Sequence, residues 1–184
     1  KRENWTKYSL SSISFGHEIA VTPLQMVAAL SAIANGGTLM EPHITKALMR
    51  DGKVVKQVKP EKIRRVISKK TSQQMLEILK VVVKEGTGGN AAVEGFDVAG
   101  KTGTAQKYIS KTSSYSKTDF VSSFIGYAPA DAPRLVILVM IDNPKGVHWG
   151  SVVAAPVFRK IAKKSLRYLN VPSNEERVFI LNPA

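Results

Sequence analysis

The sequence contains no cysteine, only 7% aromatic residues, and 14 acidic side chains against 27 basic ones. Without cysteine the protein can form no disulfide, no thiolate nucleophile and no cysteine-based metal site. Its three histidines, His17, His43 and His148, lie far apart and have no paired carboxylate motif around them, which argues against a zinc site. We therefore expect no metal site. No cofactor is implied either.

Long hydrophobic runs are also missing. The longest uninterrupted apolar stretch, Leu135 to Ile141, has seven residues, whereas a membrane-spanning helix needs about 20. The 184 residues are enough for one sizeable core. Because the chain begins with lysine, we expect it to be a piece of a longer protein.

The formal net charge of +13 is unusual. A basic domain can bind nucleic acid, an anionic membrane surface or an acidic polymer. The basic clusters around Lys59–Lys70 and Arg159–Lys164 carry no interleaved aromatic residues, which a base-stacking surface requires. We expect no nucleic-acid partner, and we interpret the charge as a solvated face or as an adaptation to a polyanionic environment outside the cell.

Two capping boxes predict helices in the first half of the chain. One begins at Thr22 and predicts a helix, apolar nearly all round and hence buried, that ends at Asn35-Gly36-Gly37; the second begins at Thr71 and predicts a helix that ends at Gly86. The turn Asp51-Gly52 between alternating segments predicts a hairpin. The residues before the first helix, including SLSSISFG, suggest an irregular, turn-rich entry.

The second half indicates three strands of an antiparallel meander, FDVAGKTGTAQ, FVSSFIGYAP and RLVILVMID. Between the first two lies a segment, SKTSSYSKTD, that we predict to be a polar loop. An amphipathic helix is predicted over Ser151 to Leu169, with an apolar stripe of Phe158, Ile161, Ala162, Ser165 and Leu169. The fold class is therefore α/β (α+β), and the tail after Asn170 has no clear periodicity.

Lys101 belongs to two incompatible patterns. Gly95 to Thr102 fits the phosphate-loop pattern G-x-x-x-x-G-K-[ST], but a phosphate loop needs a helix that begins at the lysine, and the residues that follow Lys101 are poor helix formers. Lys101-Thr102-Gly103 also fits a K-T-G triad. On an edge strand, a lysine, threonine hydroxyls and open amides are suited to hold a carboxylate and to stabilise an oxyanion, so we favour this second interpretation.

Four long blocks in a fixed order carry a more specific signal than K-T-G alone. With them the sequence, from about Trp5 to about Leu169, resembles the class B (monofunctional) penicillin-binding proteins, and among these the division-type, septal transpeptidases. The blocks are SISFGHEIAVTPLQMVAALSAIANGG, VKEGTGGNAAVEGFDVAGKTGTAQK, SSFIGYAPADAPRLVILVMIDNPKG and GSVVAAPVFRKIA.

The resemblance implies a penicillin-binding transpeptidase, or serine β-lactamase-like, fold in which helices sandwich an antiparallel sheet, present here as a partial domain. It implies residues 1–169 as the C-terminal part of that domain and 170–184 as a tail. It also implies a D,D-transpeptidase that acylates a serine with stem peptides ending in D-Ala-D-Ala and is acylated by β-lactams. The expected location is the cell membrane, with the catalytic domain on the extracytoplasmic side and division proteins as partners.

Transferred to this chain, the resemblance makes Lys101 and Thr104 the catalytic residues present. Lys101 would supply positive charge and hydrogen bonds, and the Thr104 backbone N–H would be one oxyanion-hole donor. Thr102, Gly103 and Thr104 would bind substrate, the two hydroxyls holding its carboxylate while Gly103 lets the acyl chain lie against the strand.

The other two family motifs are missing, because S-x-N does not occur and the single S-x-x-K begins at Ser114, after K-T-G. We interpret Ser114 as a solvated loop residue and expect the nucleophile to come from an upstream half of the same protein. We expect structural roles for Glu18 and Asp97, whereas Trp149 either flanks the substrate groove or packs in the core. A non-catalytic cell-wall peptide-binding relative and, remotely, a nucleotide-binding module stay open as alternatives.

Overall fold

A computed structural model describes residues 3, 5–14, 16, 19–112 and 114–181, with side chains described as far as residue 177. The helices and strands follow one another as α1 (Ser9–Ser14), α2 (Pro23–Ala34), β1 (Thr38–Met40), β2 (Ala47–Arg50), β3 (Lys53–Gln57), β4 (Lys62–Arg65), α3 (Lys69–Lys84), β5 (Ala99–Ile109), β6 (Ser114–Ala128), β7 (Leu135–Asp142), α4 (Gly150–Val153), α5 (Ala155–Tyr168) and α6 (Asn174–Leu181). In the part of the chain described, no helix is long and apolar enough to cross a membrane.

The first capping box is confirmed in both of its hydrogen bonds. The Gln25 backbone N–H donates to Thr22 Oγ1 over 3.2 Å, and the Thr22 N–H donates to Gln25 Oε1 over 2.8 Å. The prediction that α2 is buried all round is wrong in part, because only Leu30 and Ala32 are buried and Leu24 is 59% exposed. The exposed residues lie mainly in the first turn of α2, whereas residues 30–34 are all buried or half-buried.

The entry to α3 corrects the second capping prediction. Ser68, not Thr71, is the N-cap, and its side chain accepts from the Thr71 N–H over 3.0 Å. The Ser68 and Thr71 hydroxyls both lie at the helix entry, 2.8 Å apart. Serine and threonine are both common N-cap residues, so the sequence pattern alone does not distinguish them. The irregular entry predicted near the N-terminus is also corrected, since Ser9 to Ser14 form the short helix α1.

The main sheet has the order β5-β6-β7 and is antiparallel throughout, which confirms the meander. The predicted polar loop is too long, because β6 already begins at Ser114 and pairs it with Ile109. Pairing extends into these polar residues because it continues a ladder that starts in the core, and the Tyr108 and Tyr115 rings pack edge to face 5.5 Å apart.

Two apolar clusters lie on opposite faces of this sheet, which confirms the predicted sandwich of helices around an antiparallel sheet. On one face Phe124 and Val139 pack against α5, where the Phe158 ring lies 4.7 Å from the Phe124 ring. On the other face Tyr127 packs with Leu30 of α2 and with residues of α3. The sheet therefore forms the middle layer, and β5 lies at its edge in the described structure.

The predicted C-terminal helix is divided in two at Ala154. Pro156 lies at the start of α5 and has no N–H to continue the preceding helix, so α4 ends after Val153. The predicted stripe is partly wrong, because Ile161 is 42% exposed. The fully buried residues of α5 are Ala155, Phe158, Ala162 and Leu166.

The tail contains a helix that periodicity did not predict. The Ser173 N–H donates to Glu176 Oε2 over 2.7 Å and the Glu176 N–H donates to Ser173 Oγ over 3.3 Å, so a capping box begins α6. Val171 is buried in the same cluster as Phe158. The Asn174 N–H donates to the Gly95 carbonyl over 2.8 Å, which attaches the tail to the loop before β5.

The predicted hairpin is confirmed as β2–β3, and its turn residues Asp51 and Gly52 have φ values of 50° and 73°. Positive φ at both central positions matches a type I′ turn. Every residue of β3 is exposed, so this hairpin lies outside both cores. A second small sheet pairs β1 with β4.

Candidate functional site

The four K-T-G-T residues lie together near the buried end of the edge strand β5. Lys101 is exposed, and Thr102, Gly103 and Thr104 are half-buried. Thr102 pairs with Phe124 and Thr104 with Ser122, so the two threonines share the sheet face that carries α4 and α5. Alternate amides of a strand point the same way, so the Thr102 and Thr104 N–H groups also share one orientation.

The hydroxyl of Thr102 lies between two polar neighbours. Lys101 Nζ is 3.4 Å from Thr102 Oγ1 and donates to the Thr102 carbonyl over 3.0 Å. On the other side Thr87 Oγ1 is 3.0 Å from Thr102 Oγ1. An ammonium group can only donate, so Thr102 Oγ1 accepts from Lys101 and can donate its own proton either to Thr87 Oγ1 or to a ligand.

The hydroxyl of Thr104 is held by the start of α4. The Gly150 backbone N–H donates to Thr104 Oγ1 over 3.1 Å. No side chain fits at Gly150, because a Cβ there would collide with the carbonyl oxygens of Gly103 and Ser123. Glycine therefore lets α4 approach the strands closely enough for its amide to reach Thr104.

Two glycines of β5 are also close to their neighbours, although at Gly103 the nearest atom belongs to a side chain and not to the backbone. A Cβ at Gly103 would lie 2.5 Å from Ser123 Oγ, and one at Gly100 would lie 2.6 Å from the Phe124 ring. Glycine inside a strand usually marks a place where another group approaches the backbone. Here the approaching groups belong to the neighbouring strand β6, so both glycines serve the packing of the sheet in addition to any role toward a ligand.

Aromatic rings flank the α4 side of the site. His148 stacks on Phe120 with ring centroids 3.9 Å apart and 6° between the planes, and Trp149 lies 4.7 Å from the His148 ring. The Ser122 hydroxyl donates to the His148 carbonyl, which fixes the backbone before α4. Trp149 is 57% exposed, so it is a surface residue beside Gly150 and not part of the core.

Two acidic residues that precede β5 in the chain, Glu94 and Asp97, form ion pairs with lysines. Lys80 Nζ is 3.0 Å from Asp97 and 3.0 Å from Asp131, and the hydrogen bond that Lys80 donates to Asp97 is the main reason that the pKa of Lys80 is raised. Asp97 therefore has the structural role predicted for it. Lys163 Nζ lies 3.0 Å from Glu94, and this hydrogen bond lowers the pKa of Glu94.

The remaining candidate residues lie apart from Lys101 or outside the described structure. Ser114 is exposed and begins β6 at the far end of the β5–β6 ladder, so it is a strand residue and not the predicted loop residue. Glu18 lies outside the described residues. The strand continues to Ile109 after Lys101, so the helix that a phosphate loop requires at its lysine does not form.

Comparison with known protein families identifies the fold. Residues 1–163 match the family described as penicillin binding protein transpeptidase domain. This chain belongs to that family. The predicted resemblance is thereby confirmed, and the matched residues include the strand β5 with its K-T-G motif.

The curated relatives of this transpeptidase-family chain include proteins of sporulation and of peptidoglycan synthesis. Stage V sporulation protein D of Bacillus subtilis is 46% identical over 171 residues, which cover 91% of this chain and 26% of that protein. The probable peptidoglycan D,D-transpeptidase FtsI of Caulobacter vibrioides is 36% identical over 191 residues, which cover 97% of this chain and 31% of that protein.

Solved structures of the family have the same fold. Penicillin-binding protein 3 of Mycobacterium tuberculosis, complexed with aztreonam, has a TM-score of 0.83 at 35% identity, covering 96% of this chain and 41% of that one. The apo transpeptidase domain of penicillin-binding protein 3 from Burkholderia pseudomallei has a TM-score of 0.78 at 36% identity, covering 95% of this chain and 50% of that one. The chain thus spans about a quarter to a half of these proteins.

Three groups that shape the site of this transpeptidase-family chain were not among the predicted residues. Thr87 contacts Thr102, Gly150 donates to Thr104, and Asn90 Nδ2 donates to the carbonyl of Ser151 over 2.9 Å. Thr87 and Asn90 lie in the block VKEGTGGNAAVEGFDVAGKTGTAQK, and Gly150 begins the block GSVVAAPVFRKIA. All three residues therefore lie in blocks that carry the family resemblance, but no local sequence pattern assigns them a role.

Proposed function

We propose that this chain is the K-T-G-bearing part of a peptidoglycan D,D-transpeptidase that cross-links stem peptides in septal cell-wall synthesis and binds penicillin through an acyl-serine. The observation that supports this function is the pair of threonine hydroxyls on β5. Each oxygen accepts from a protein donor, Lys101 Nζ for Thr102 and the Gly150 N–H for Thr104. When Thr87 is the donor in its contact with Thr102, both threonines can donate their protons to an anion between them, such as the terminal carboxylate of D-Ala-D-Ala.

The remaining roles follow from the same strand. Lys101 places a positive charge beside the carboxylate site, and the Thr104 N–H donates to the developing oxyanion. Such a donor contributes roughly 3 kcal/mol to transition-state stabilisation in a comparable serine enzyme. Gly103 leaves the strand surface free of a side chain, so the acyl group lies along β5.

In the proposed reaction a serine Oγ attacks the carbonyl of the penultimate D-alanine. The carbon–oxygen bond of the acyl-enzyme forms, the peptide C–N bond breaks, and the serine's proton passes through a base to the departing D-alanine amine. An amine of a neighbouring stem peptide then attacks the ester. The new amide C–N bond forms, the ester C–O bond breaks, and the amine's proton passes through the base to the serine oxygen, which regenerates the serine. β-Lactams acylate the same serine, because their amide and carboxylate imitate the D-Ala-D-Ala end.

The serine and its base are not assigned to this chain. We propose that S-x-x-K and S-x-N come from an upstream half of the same protein, that residues 1–169 complete the transpeptidase domain, and that 170–184 are its C-terminal tail. The whole protein is then anchored in the cell membrane, works on the extracytoplasmic side and has division proteins as partners.

The intact mass after incubation with benzylpenicillin tests this function. We expect an adduct on the chain rejoined to its natural upstream residues and none on the chain alone. An adduct on the isolated chain would place the nucleophile among local serines, with Ser114 first, and would contradict the motif assignment. A rejoined protein that binds cell-wall peptide without forming an adduct would instead support the non-catalytic alternative.

A further inference from the structure

The loop between α3 and β5 contacts both sides of the candidate site. This bridging loop, residues 87–96, begins with Thr87, whose Oγ1 lies 3.0 Å from Thr102 Oγ1. Its Asn90 donates through Nδ2 to the carbonyl of Ser151, the residue after the Gly150 amide that holds Thr104. One loop therefore touches the two threonines, one directly and one through α4.

We propose that Thr87 and Asn90 are positioning residues for the two substrate-binding threonines, an inference that rests on the proposed function. When a carboxylate is bound, Thr102 donates its single proton to that carboxylate. The short contact between the two hydroxyls then requires Thr87 to be the donor and Thr102 Oγ1 the acceptor. Thr87 thus holds the Thr102 proton toward the substrate.

Asn90 acts on the second threonine through α4. This helix has four residues, Gly150–Val153, and its Gly150 N–H reaches Thr104 from one side of the helix. The Asn90 amide fixes the next carbonyl, that of Ser151. A helix this short has little internal hydrogen bonding to hold it, so the Asn90 contact sets where the Gly150 amide points.

The bridging loop is itself held firmly enough to position other groups. A 3₁₀ turn at Gly89–Ala91 and a bridge between Val93 and Phe96 shape it, and Ala91 and Val93 are buried in the core. Its far end is fixed by the Asn174 N–H, which donates to the Gly95 carbonyl over 2.8 Å. The tail therefore supports the loop at the end that is farther along the chain from Thr87.

The test uses the transpeptidase domain rejoined to its upstream residues and measures acylation by a fluorescent penicillin. Thr87→Val, which keeps the shape and removes the hydroxyl, is expected to lower the second-order acylation rate about tenfold, because a hydrogen bond to a charged ligand is weakened. The loss should lie in the dissociation constant of the initial complex more than in the acylation step. Thr87→Ser should restore the rate to near that of the wild type.

Thr71→Val is the matched control. Thr71 also makes a hydroxyl–hydroxyl contact, 2.8 Å to Ser68, but it lies at the opposite end of α3 from Thr87. This variant should lose as much thermal stability as Thr87→Val and none of the acylation rate. Equal acylation by Thr87→Val and the wild type, or a Thr87→Ser variant as slow as Thr87→Val, would overturn the proposal.

Hydrogen exchange separates this proposal from the proposed function. In the same rejoined protein, Asn90→Leu is expected to raise amide exchange at Gly150 to Val153, while exchange in the β2–β3 hairpin stays unchanged. If the wild type forms no penicillin adduct, the proposed function fails and the exchange result alone decides whether Asn90 positions α4. Unchanged exchange in α4 would overturn the role of Asn90.

Discussion

Two antiparallel hairpins of this molecule have opposite surroundings. The β5–β6 hairpin lies between two apolar clusters, and the backbone around Lys101 is confined by neighbours on both faces. The β2–β3 hairpin has the same kind of pairing and also contains an irregular register, yet all of β3 is exposed. Strand pairing alone therefore does not build a site, because the positions of Thr102 and Thr104 depend on the elements that cover the sheet.

The largest expected effect on the free energy of unfolding comes from removing a side chain that covers the β5–β6 hairpin. Phe158 is fully buried against Phe124 of β6, so Phe158→Ala should lower the free energy of unfolding by about 4 kcal/mol. Leu48→Ala in the exposed hairpin, where Leu48 is 52% exposed, should change it by less than about 0.5 kcal/mol. Urea unfolding of the rejoined domain measures both, and similar losses would contradict the comparison.

A slightly smaller effect is expected from Gly150, the first residue of α4. Gly150→Ala should lower the free energy of unfolding by about 3 kcal/mol, because the added methyl group meets backbone atoms that have no room to move. The same variant should lose penicillin acylation, since Thr104 loses its donor.

Gly52→Ala is the matched change in the exposed hairpin. Gly52 has a φ of +73° and nothing within 4 Å of an added Cβ, so only backbone strain of about 1 kcal/mol is expected. Acylation should be unchanged. Equal destabilisation by Gly52→Ala and Gly150→Ala would contradict the prediction. It would show that the clash of an added Cβ at Gly150 with backbone atoms is not what destabilises the domain.

The third prediction concerns alkaline pH. Burial of Tyr127 on the α2–α3 side of the sheet raises its pKa from 10.0 to about 12. Between these values the unfolded chain loses the phenol proton and the folded protein keeps it, so stability falls as the pH rises through this window. The total loss is about 2.5 kcal/mol, and the raised pKa of Lys80 acts in the same direction.

Unfolding measured at about pH 9 and about pH 11.5 tests the alkaline loss, because the first pH lies below the ordinary phenol pKa of 10.0 and the second lies between that value and the raised pKa of about 12. Tyr127→Phe, which keeps the ring and removes the ionising group, should remove most of the slope. The exposed β2–β3 hairpin contains no tyrosine. A slope that persists in Tyr127→Phe would assign the alkaline loss to other groups.

Local chemistry explains which parts of the fold could be predicted. The Thr22 capping box and the Asp51-Gly52 turn are set by neighbouring residues, so the sequence specifies them directly. The strand extension from Ser114 depends instead on pairing that continues from the core, and the short helix α1 has too few residues to show a periodicity. The Ser173 and Glu176 capping box is present in the sequence, but the segment lacks an apolar stripe, so hydrophobic periodicity did not predict the helix α6.

The candidate site shows the same division. Lys101 to Thr104 were found because they are contiguous and match a motif, and their roles toward substrate remain proposals. Thr87, Asn90 and Gly150 come from two other segments and reach the site only through tertiary packing, Thr87 and Gly150 at β5 and Asn90 at α4. The confinement of Gly150 by two strand carbonyls is a property of the packed molecule that no single segment displays.

The arrangement of the two threonine hydroxyls has a consequence for antibiotic resistance. If a β-lactam and the natural stem peptide use the same two protons, a substitution of Thr102 or Thr104 weakens both ligands together. Selection then has little freedom within the motif itself. We expect tolerated escape substitutions to arise in the surrounding segments, where a small displacement of Thr87 or α4 can alter how a rigid drug fits while a flexible peptide adapts.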